Sequence, residues 1–240
     1  MTEKLTAYTS NDHLVTITIR HFKEQENMSR VQPTFDNLPE EKRDRVLQEA
    51  TREFADHGYE QASINRMVKR LGIAKGSLFK YFGNKKGLFE YLFGQALAEF
   101  KRPLKAIRDT SGKDFFQRIE NSFLASAAFI DSHPHLYSIY LKMLFNEHFP
   151  MRDHFLGEIR GAHAKYLRQL VQNGIESGQL RPELDVDETV FILHSVLDRF
   201  LQNHAVPSLD KGIEPEKQRL KDKARAMTDF LRHGLGNTSS

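Results

Sequence analysis

From residue 39 to the C-terminus, apolar residues recur three and four positions apart in one segment after another, and glycine or proline separates the segments. This spacing places apolar side chains on one face of an α-helix. The first segment runs from Pro39 to Gly58 and carries Val46, Ala50 and Phe54 on one face. A chain built this way is predicted to be all-α.

The next segments are short. A second helix is predicted to start with Ser63 as its N-cap and to end at Gly72, because glycine readily takes the positive φ of a tight turn. A third spans Lys75–Phe82, and Asn84 is expected to cap a long fourth helix that ends at Pro103. Further helices are predicted near residues 113–132, 134–147, 151–177, 187–204 and 216–235, with a loop at 209–215.

The pattern divides the chain into three parts. Residues 1–38 are predicted to be a disordered tail, in which residues 14–19 alternate weakly like a strand and Met28 is an alternative start. Residues 39–87 are expected to form a small helical domain, and residues 88–240 a larger one. The absence of cysteine excludes disulfides, thiolate metal sites and a cysteine nucleophile, and favours the cytoplasm.

Charge is distributed unevenly. Residues 61–87 carry seven lysines and arginines and no aspartate or glutamate, whereas residues 88–240 are balanced. A basic segment of this kind is typical of a surface that faces phosphates, although a solvated basic face is the alternative. Two short helices joined by a glycine turn, the second of them basic, form a helix-turn-helix pattern, in which the second helix enters the major groove of DNA.

Four stretches closely resemble the DNA-binding domain of the TetR family of transcriptional regulators. They are FADHGY (54–59), ASI (62–64), LGIAKGSLFKYF (71–82) and NKKGLF (84–89). The resemblance implies a helix-turn-helix domain followed by a helical effector-binding and dimerisation domain. It also implies a homodimeric repressor of double-stranded operator DNA that a small effector releases; an activator, or a regulator without a ligand, is the alternative.

The resemblance also assigns roles to single residues. Ser63 is similar to the N-cap that also reaches a phosphate. Lys75 and Gly76 open the recognition helix, where Gly76 allows close approach to DNA and Lys75 reaches a guanine edge or a phosphate. Ser77 and Lys80 are expected to contact bases.

Three more positions complete the expected DNA-binding set. Tyr81 projects from the recognition helix or covers its end, and Lys85 resembles the family's phosphate clamp at a helix N-terminus. Phe79 stands where the family usually has tyrosine, so one phosphate-reaching hydroxyl is missing. Ala74 replaces the common serine or threonine cap, and Arg66 leaves the second helix without an acidic capping box.

The family resemblance implies that the last two helices pair with those of a second subunit. Each carries an apolar stripe that fits either a dimer or the interior of a monomer. The stripes are Val190, Leu193, Leu197, Phe200 and Leu201, and Leu220, Ala224, Met227 and Leu231.

An effector pocket is expected among the aromatic residues of 113–177, which serve either as core or as pocket lining. A pocket built from them would favour a hydrophobic or aromatic effector. The candidates are Phe116, Phe123, Phe129, Tyr137, Tyr140 and Phe155. The histidines here lack metal-ligand spacing, so neither a metal nor a cofactor is predicted, and no catalytic motif indicates an enzyme.

Overall fold

The computed structural model describes residues 35–109, 114–211 and 219–236. Within these ranges the chain is helical apart from short connections and one isolated bridge between Leu180 and Gly236, so the all-α prediction is confirmed. Residues 1–34 of the predicted tail, with the possible strand at 14–19, lie outside the described residues.

Helices follow one another with few residues between them. The first four are α1 (Glu40–Gln61), α2 (Ile64–Leu71), α3 (Lys75–Phe82) and α4 (Lys85–Asp109). The remaining ones are α5 (Phe115–Ser132), α6 (Pro134–Phe145), α7 (Arg152–Glu176), α8 (Val186–Ala205) and α9 (Leu220–Leu235). A 3-10 helix, Pro207–Asp210, follows α8, and its last two residues overlap the start of the loop predicted at 209–215.

The predicted end of α4 is wrong. Pro103 lies inside the helix, which continues to Asp109. A proline there removes one backbone hydrogen bond, but Leu104 is buried in the core of the second unit described below. Burial of that side chain favours continuing the helix and offsets part of the cost of the proline.

The described residues form two compact units. The first comprises residues 35–53 and 62–92, and the second comprises residues 54–61 and 93–236. Helices α1 and α4 therefore each contribute to both units.

The core of the first unit includes a residue from the segment predicted as tail. Phe35 is fully buried, and its ring lies 4.7 Å from that of Phe82 and 5.3 Å from that of Tyr91, measured between centroids. Tyr91 also donates a hydrogen bond of 2.6 Å to the carboxylate of Asp36. These contacts hold residues 35 and 36 against the third and fourth helices.

In the second unit, α5 is central. Helix α8 packs against α5 and α7, and α9 packs against α5. The rings of Phe123 on α5 and Phe200 on α8 stack with centroids 5.1 Å apart, and both are buried. No helix in the described ranges has an apolar stretch long enough to cross a bilayer.

Candidate nucleic-acid interface

The helix-turn-helix is α2, a turn and α3, and local sequence explains its geometry. The Ser63 hydroxyl accepts a hydrogen bond from the amide of Arg66, which confirms the predicted N-cap of α2. Gly72 ends α2 with φ 67° and ψ 31°, a left-handed conformation that favours glycine. Ala74 precedes α3 in extended conformation and provides no side-chain cap.

A buried carboxylate on α1 replaces the capping box that α2 lacks. Glu53 is fully buried, and its Oε1 accepts a hydrogen bond of 2.8 Å from the backbone amide of Ser63. The same oxygen accepts a 2.8 Å hydrogen bond from Nε of Arg66, and the other oxygen pairs with Arg70, which also pairs with Glu49. In a capping box this amide bonds to the third helical residue, whereas here the acceptor comes from another helix.

The environment of Glu53 keeps it ionised. Burial by itself raises the pKa of the carboxyl group, but hydrogen bonds from Arg66, the Ser63 amide and Arg70 outweigh it and lower the pKa to about 2. Two of the seven basic groups of residues 61–87 therefore neutralise a buried acid. They stabilise the domain instead of adding free positive charge to its surface.

The basic residues of α3 differ from those of α2. Lys75 and Lys80 are exposed, and neither has a carboxylate partner in the described part of the chain. The ammonium of Lys75 lies 5.5 Å from the centroid of the Phe79 ring, a cation–π contact. Gly76 is exposed, with open space where a side chain would stand, and Ser77 is half-buried.

The two aromatic candidates of α3 have different surroundings. Phe79 has 39% of its surface exposed, which is high for an aromatic side chain. Tyr81 is half-buried, and its ring centroid lies 5.5 Å from that of Phe35. Tyr81 therefore covers the end of α3, as the alternative interpretation of the sequence had it, while Phe79 faces solvent.

The start of α4 adds a cation beside the helix-turn-helix. Asn84 accepts a 2.9 Å hydrogen bond from the amide of Gly87 and so caps α4 as predicted. Half-buried Lys85 donates to the carbonyl of Ala62, at 3.4 Å, just before α2. Lys86 pairs with Glu90 at 3.6 Å.

Glu53 and Phe35 were not predicted from the sequence. Glu53 has a recognisable signature, because it follows Val46 and Ala50 on the buried face of α1 and precedes a segment rich in arginine. Phe35 has none, because it stands alone in a segment without helical periodicity.

In the second unit the six candidate pocket residues fall into two groups. Phe116, Phe123 and Phe155 are buried; the first two belong to the main core, and Phe155 packs on Phe93 at 4.2 Å between centroids. The other three are only half-buried: Phe129, Tyr137 and Tyr140.

The structure shows where the apolar stripes of α8 and α9 lie. The residues of both stripes belong to the core of the second unit or pack against it, so the monomer itself covers them. Other apolar residues of these helices are exposed: Phe191 by 72% and Ile192 by 47% on α8, and Phe230 by 80% on α9. An interface through the last two helices would use these side chains.

Comparison with known proteins gives two family matches and several similar structures. The model described as "Bacterial regulatory proteins, tetR family" matches residues 46–92, and "Tetracyclin repressor-like, C-terminal domain" matches residues 113–236. The HTH-type transcriptional repressor KstR2 of Mycolicibacterium smegmatis is 28% identical over 159 residues, which is 65% of this chain and 75% of the relative.

Two solved structures show the same fold. A TetR family transcriptional regulator from Chloroflexus aurantiacus has a TM-score of 0.63 and 29% identity over 85% of this chain and 98% of its own. The regulator FadR from Bacillus subtilis, solved in complex with stearoyl-CoA, has a TM-score of 0.63 and 18% identity over 79% of this chain and 97% of its own.

Proposed function

Because the chain belongs to the TetR family of bacterial regulatory proteins, we propose that it is a homodimeric repressor that binds operator DNA and leaves it when a small apolar effector binds. It is a DNA-binding transcriptional regulator by family, and we assign it no catalytic step. The observation that carries the proposal is the surface of α3, where Lys75 and Lys80 are exposed and have no carboxylate partner among the residues that the structure describes. A regulator of chromosomal DNA acts in the cytoplasm.

The proposed DNA contacts use α2, α3 and the start of α4. Lys75, Ser77 and Lys80 face the base edges or the adjoining phosphates, and Gly76 permits close approach of the backbone. Ser63 and Lys85 contact phosphates on either side. Exposed Phe79 offers an apolar contact, and Tyr81 is placed at the edge of the interface.

The test is a fluorescence-anisotropy titration against DNA from upstream of the protein's own gene, repeated at several salt concentrations. Lys80→Ala is expected to weaken binding to the specific sequence more than binding to random DNA. Lys85→Ala is expected to reduce the slope of log K against log salt by about 0.9 for each half-site. Lys105→Ala, which changes an exposed lysine of α4 in the second unit, is the matched control.

Binding that ignores both salt and sequence would overturn the proposal. Repression is tested separately, with a reporter gene under the adjacent promoter in a deletion strain. Expression should rise when the gene is deleted; a fall would identify an activator instead. The relative named above as a repressor, KstR2, supports the first outcome.

The proposed dimer uses the outward faces of α8 and α9. Phe191 and Ile192 lie on α8, and Phe230 is exposed on α9. Exposed aromatic groups of this size are stabilised by an interface that covers them. Phe230→Asp is expected to produce monomers in sedimentation analysis and to weaken operator binding, whereas Arg225→Asp, at an exposed charged position of α9, should do neither.

The proposed effector binds in the second unit and is hydrophobic or aromatic. Phe129, Tyr137 and Tyr140 are the half-buried candidates for its contacts, and Phe116, Phe123 and Phe155 are the buried ones. FadR, a protein of the same fold, was solved with stearoyl-CoA, which carries a long apolar chain. If the ligand lowers the affinity of the protein for operator DNA by a given factor, operator DNA must lower the affinity of the protein for the ligand by the same factor.

A further inference from the structure

His163 on α7 is a buried polar residue with an unsatisfied atom. Only 5% of its surface is exposed, and its Nε2 has no hydrogen-bond partner within the described part of the chain. The ring lies edge-on to Phe100 and to His194, with centroids 6.1 Å and 5.1 Å away. Leaving a buried polar atom without a partner is unfavourable, so such an atom is a candidate to bond to a ligand.

A short series of polar groups leads from His163 toward the surface. Nδ1 of His194 lies 3.9 Å from Oδ2 of Asp198, and the hydroxyl of Tyr140 donates a hydrogen bond to the same carboxylate. The ring of Tyr137 lies 5.5 Å from that of Tyr140, between centroids. These five residues, which we call the His163 cluster, come from α6, α7 and α8.

The aromatic side chains around the cluster are not part of the closed core. Phe100 contacts Phe129 with ring centroids 5.3 Å apart, and both are half-buried, as are Tyr137 and Tyr140. By contrast, Phe123 on α5 is buried to 2% exposure. Phe100 lies next to the His163 ring and Phe129 lies next to Phe100, so partly accessible aromatic surface leads up to the imidazole, which suits an apolar ligand with one polar group.

We propose that Nε2 of His163 is the hydrogen-bonding anchor of the effector site, and that the effector is an apolar molecule whose uncharged hydroxyl or carbonyl group bonds to it. The inference rests on the proposed function, because it assumes that the second unit binds an effector. It adds the atom that orients the ligand and the class of polar group that the ligand carries.

The charges of the neighbouring groups exclude an ionic ligand at this atom. Burial, together with the adjacent His194, lowers the pKa of His163 to about 4, so the ring is neutral near pH 7 and supplies no positive charge for an anion. The nearby carboxylate of Asp198 would repel an anion as well. A cation at Nε2 would lie buried without a contacting carboxylate among the described residues, since Asp198 faces His194, Tyr140 and Arg160.

Three probes that share one apolar body separate the alternatives: 2-naphthalenemethanol, 2-naphthoate and 2-(aminomethyl)naphthalene. Calorimetry near neutral pH on the full chain without DNA is expected to show the alcohol binding at least about tenfold more tightly than the two ions. His163→Phe should weaken binding of the alcohol by about tenfold, while His163→Gln, which keeps a hydrogen-bonding group, should weaken it less. His154→Phe, at an exposed position of α7, is the control and should change nothing.

A spectroscopic readout locates the contact. The 15N resonance of Nε2 in His163 should shift when the alcohol binds and stay in place with the ions. Equal affinity for all three probes, unchanged affinity in His163→Phe, or no binding by any probe would each overturn the proposal. Operator binding is measured on the same preparations without probe, so a failure of DNA recognition is seen separately from a failure of the His163 site.

Discussion

Helices α2 and α3 have the same length, eight residues each, and both are basic, yet they are built differently. Helix α2 has a side-chain cap at Ser63, and its arginines Arg66 and Arg70 pair with carboxylates of α1. Helix α3 begins after uncapped Ala74, and its exposed lysines have no carboxylate partner among the described residues.

This difference separates two uses of positive charge. The arginines of α2 form ion pairs with buried Glu53 and fix the helix against α1. Their positive charge is therefore balanced within the domain. The lysines of α3 remain available to an external polyanion. A basic segment in a sequence therefore overstates the positive surface, because ion pairs to residues outside the segment are invisible in it.

Removal of Glu53 is expected to have the largest effect on stability. Glu53→Ala leaves the Ser63 amide without its acceptor and Arg66 and Arg70 without their shared carboxylate. We expect the free energy of unfolding at neutral pH to fall by about 3 kcal/mol. Urea titration followed by circular dichroism measures it.

Two variants serve as controls for this prediction. Glu53→Gln keeps an acceptor for the amide and should cost less than Glu53→Ala. Glu41→Ala removes an exposed carboxylate from the same helix and should cost little. If Glu53→Ala and Glu41→Ala had equal effects, Glu53 would not be fixing α2.

The pH dependence of stability provides a second check on Glu53. Its pKa in the folded protein is about 2, below its ordinary value of 4.5, so the ionised group stabilises the folded state at a pH above 4.5. That contribution is lost as the pH falls from 4.5 toward 2. The difference in unfolding free energy between the wild type and Glu53→Gln should therefore shrink over this interval, and a constant difference would contradict the assignment.

The other end of α3 depends on a close backbone approach. A Cβ atom on Gly87 would lie 2.1 Å from the carbonyl oxygen of Phe82, the last residue of α3. Gly87→Ala forces that end of the helix to move, and we expect a loss of about 2 kcal/mol in urea titrations.

Gly94, on the same helix as Gly87, is the matched control. Its surroundings leave open space for a Cβ atom, so Gly94→Ala should raise stability by up to about 1 kcal/mol through helix propensity. Equal effects of the two substitutions would show that the contact with Phe82 does not matter.

Local sequence was enough to predict most helices and both ends of α2. Ser63 and Gly72 act on neighbouring backbone groups, and the apolar period of each helix is set within a few turns, so a short window contains the information. The missing cap at Ala74 was expected from the family resemblance, because the family often has serine or threonine there, and the structure shows no side-chain cap.

Contacts between distant residues account for what the sequence did not predict. Glu53 pairs with Arg70, 17 positions away, and the burial of Leu104 carries α4 past Pro103. On α8, periodicity identified the apolar stripe of Leu193 and Leu197 but not which helices cover it, and Phe191 stood out only once its exposure was known. These ion pairs, buried residues and exposed residues depend on tertiary packing, which a short window of sequence does not reveal.

The capping difference between α2 and α3 predicts the smallest effects, opposite in sign. Ser63→Ala removes the hydroxyl that accepts the Arg66 amide and should lower the unfolding free energy by about 1 kcal/mol. Ala74→Ser adds a hydroxyl at the N-cap of α3, where the backbone is already extended, and should raise the unfolding free energy by about 0.5–1 kcal/mol.

Chemical denaturation of both variants and of the double variant measures the two changes in unfolding free energy. Because the two residues cap different helices, these changes should add within about 0.5 kcal/mol. If Ala74→Ser stabilised nothing, the first turn of α3 would already be satisfied by other means, and the contrast between the two helices would rest on their ion pairs alone.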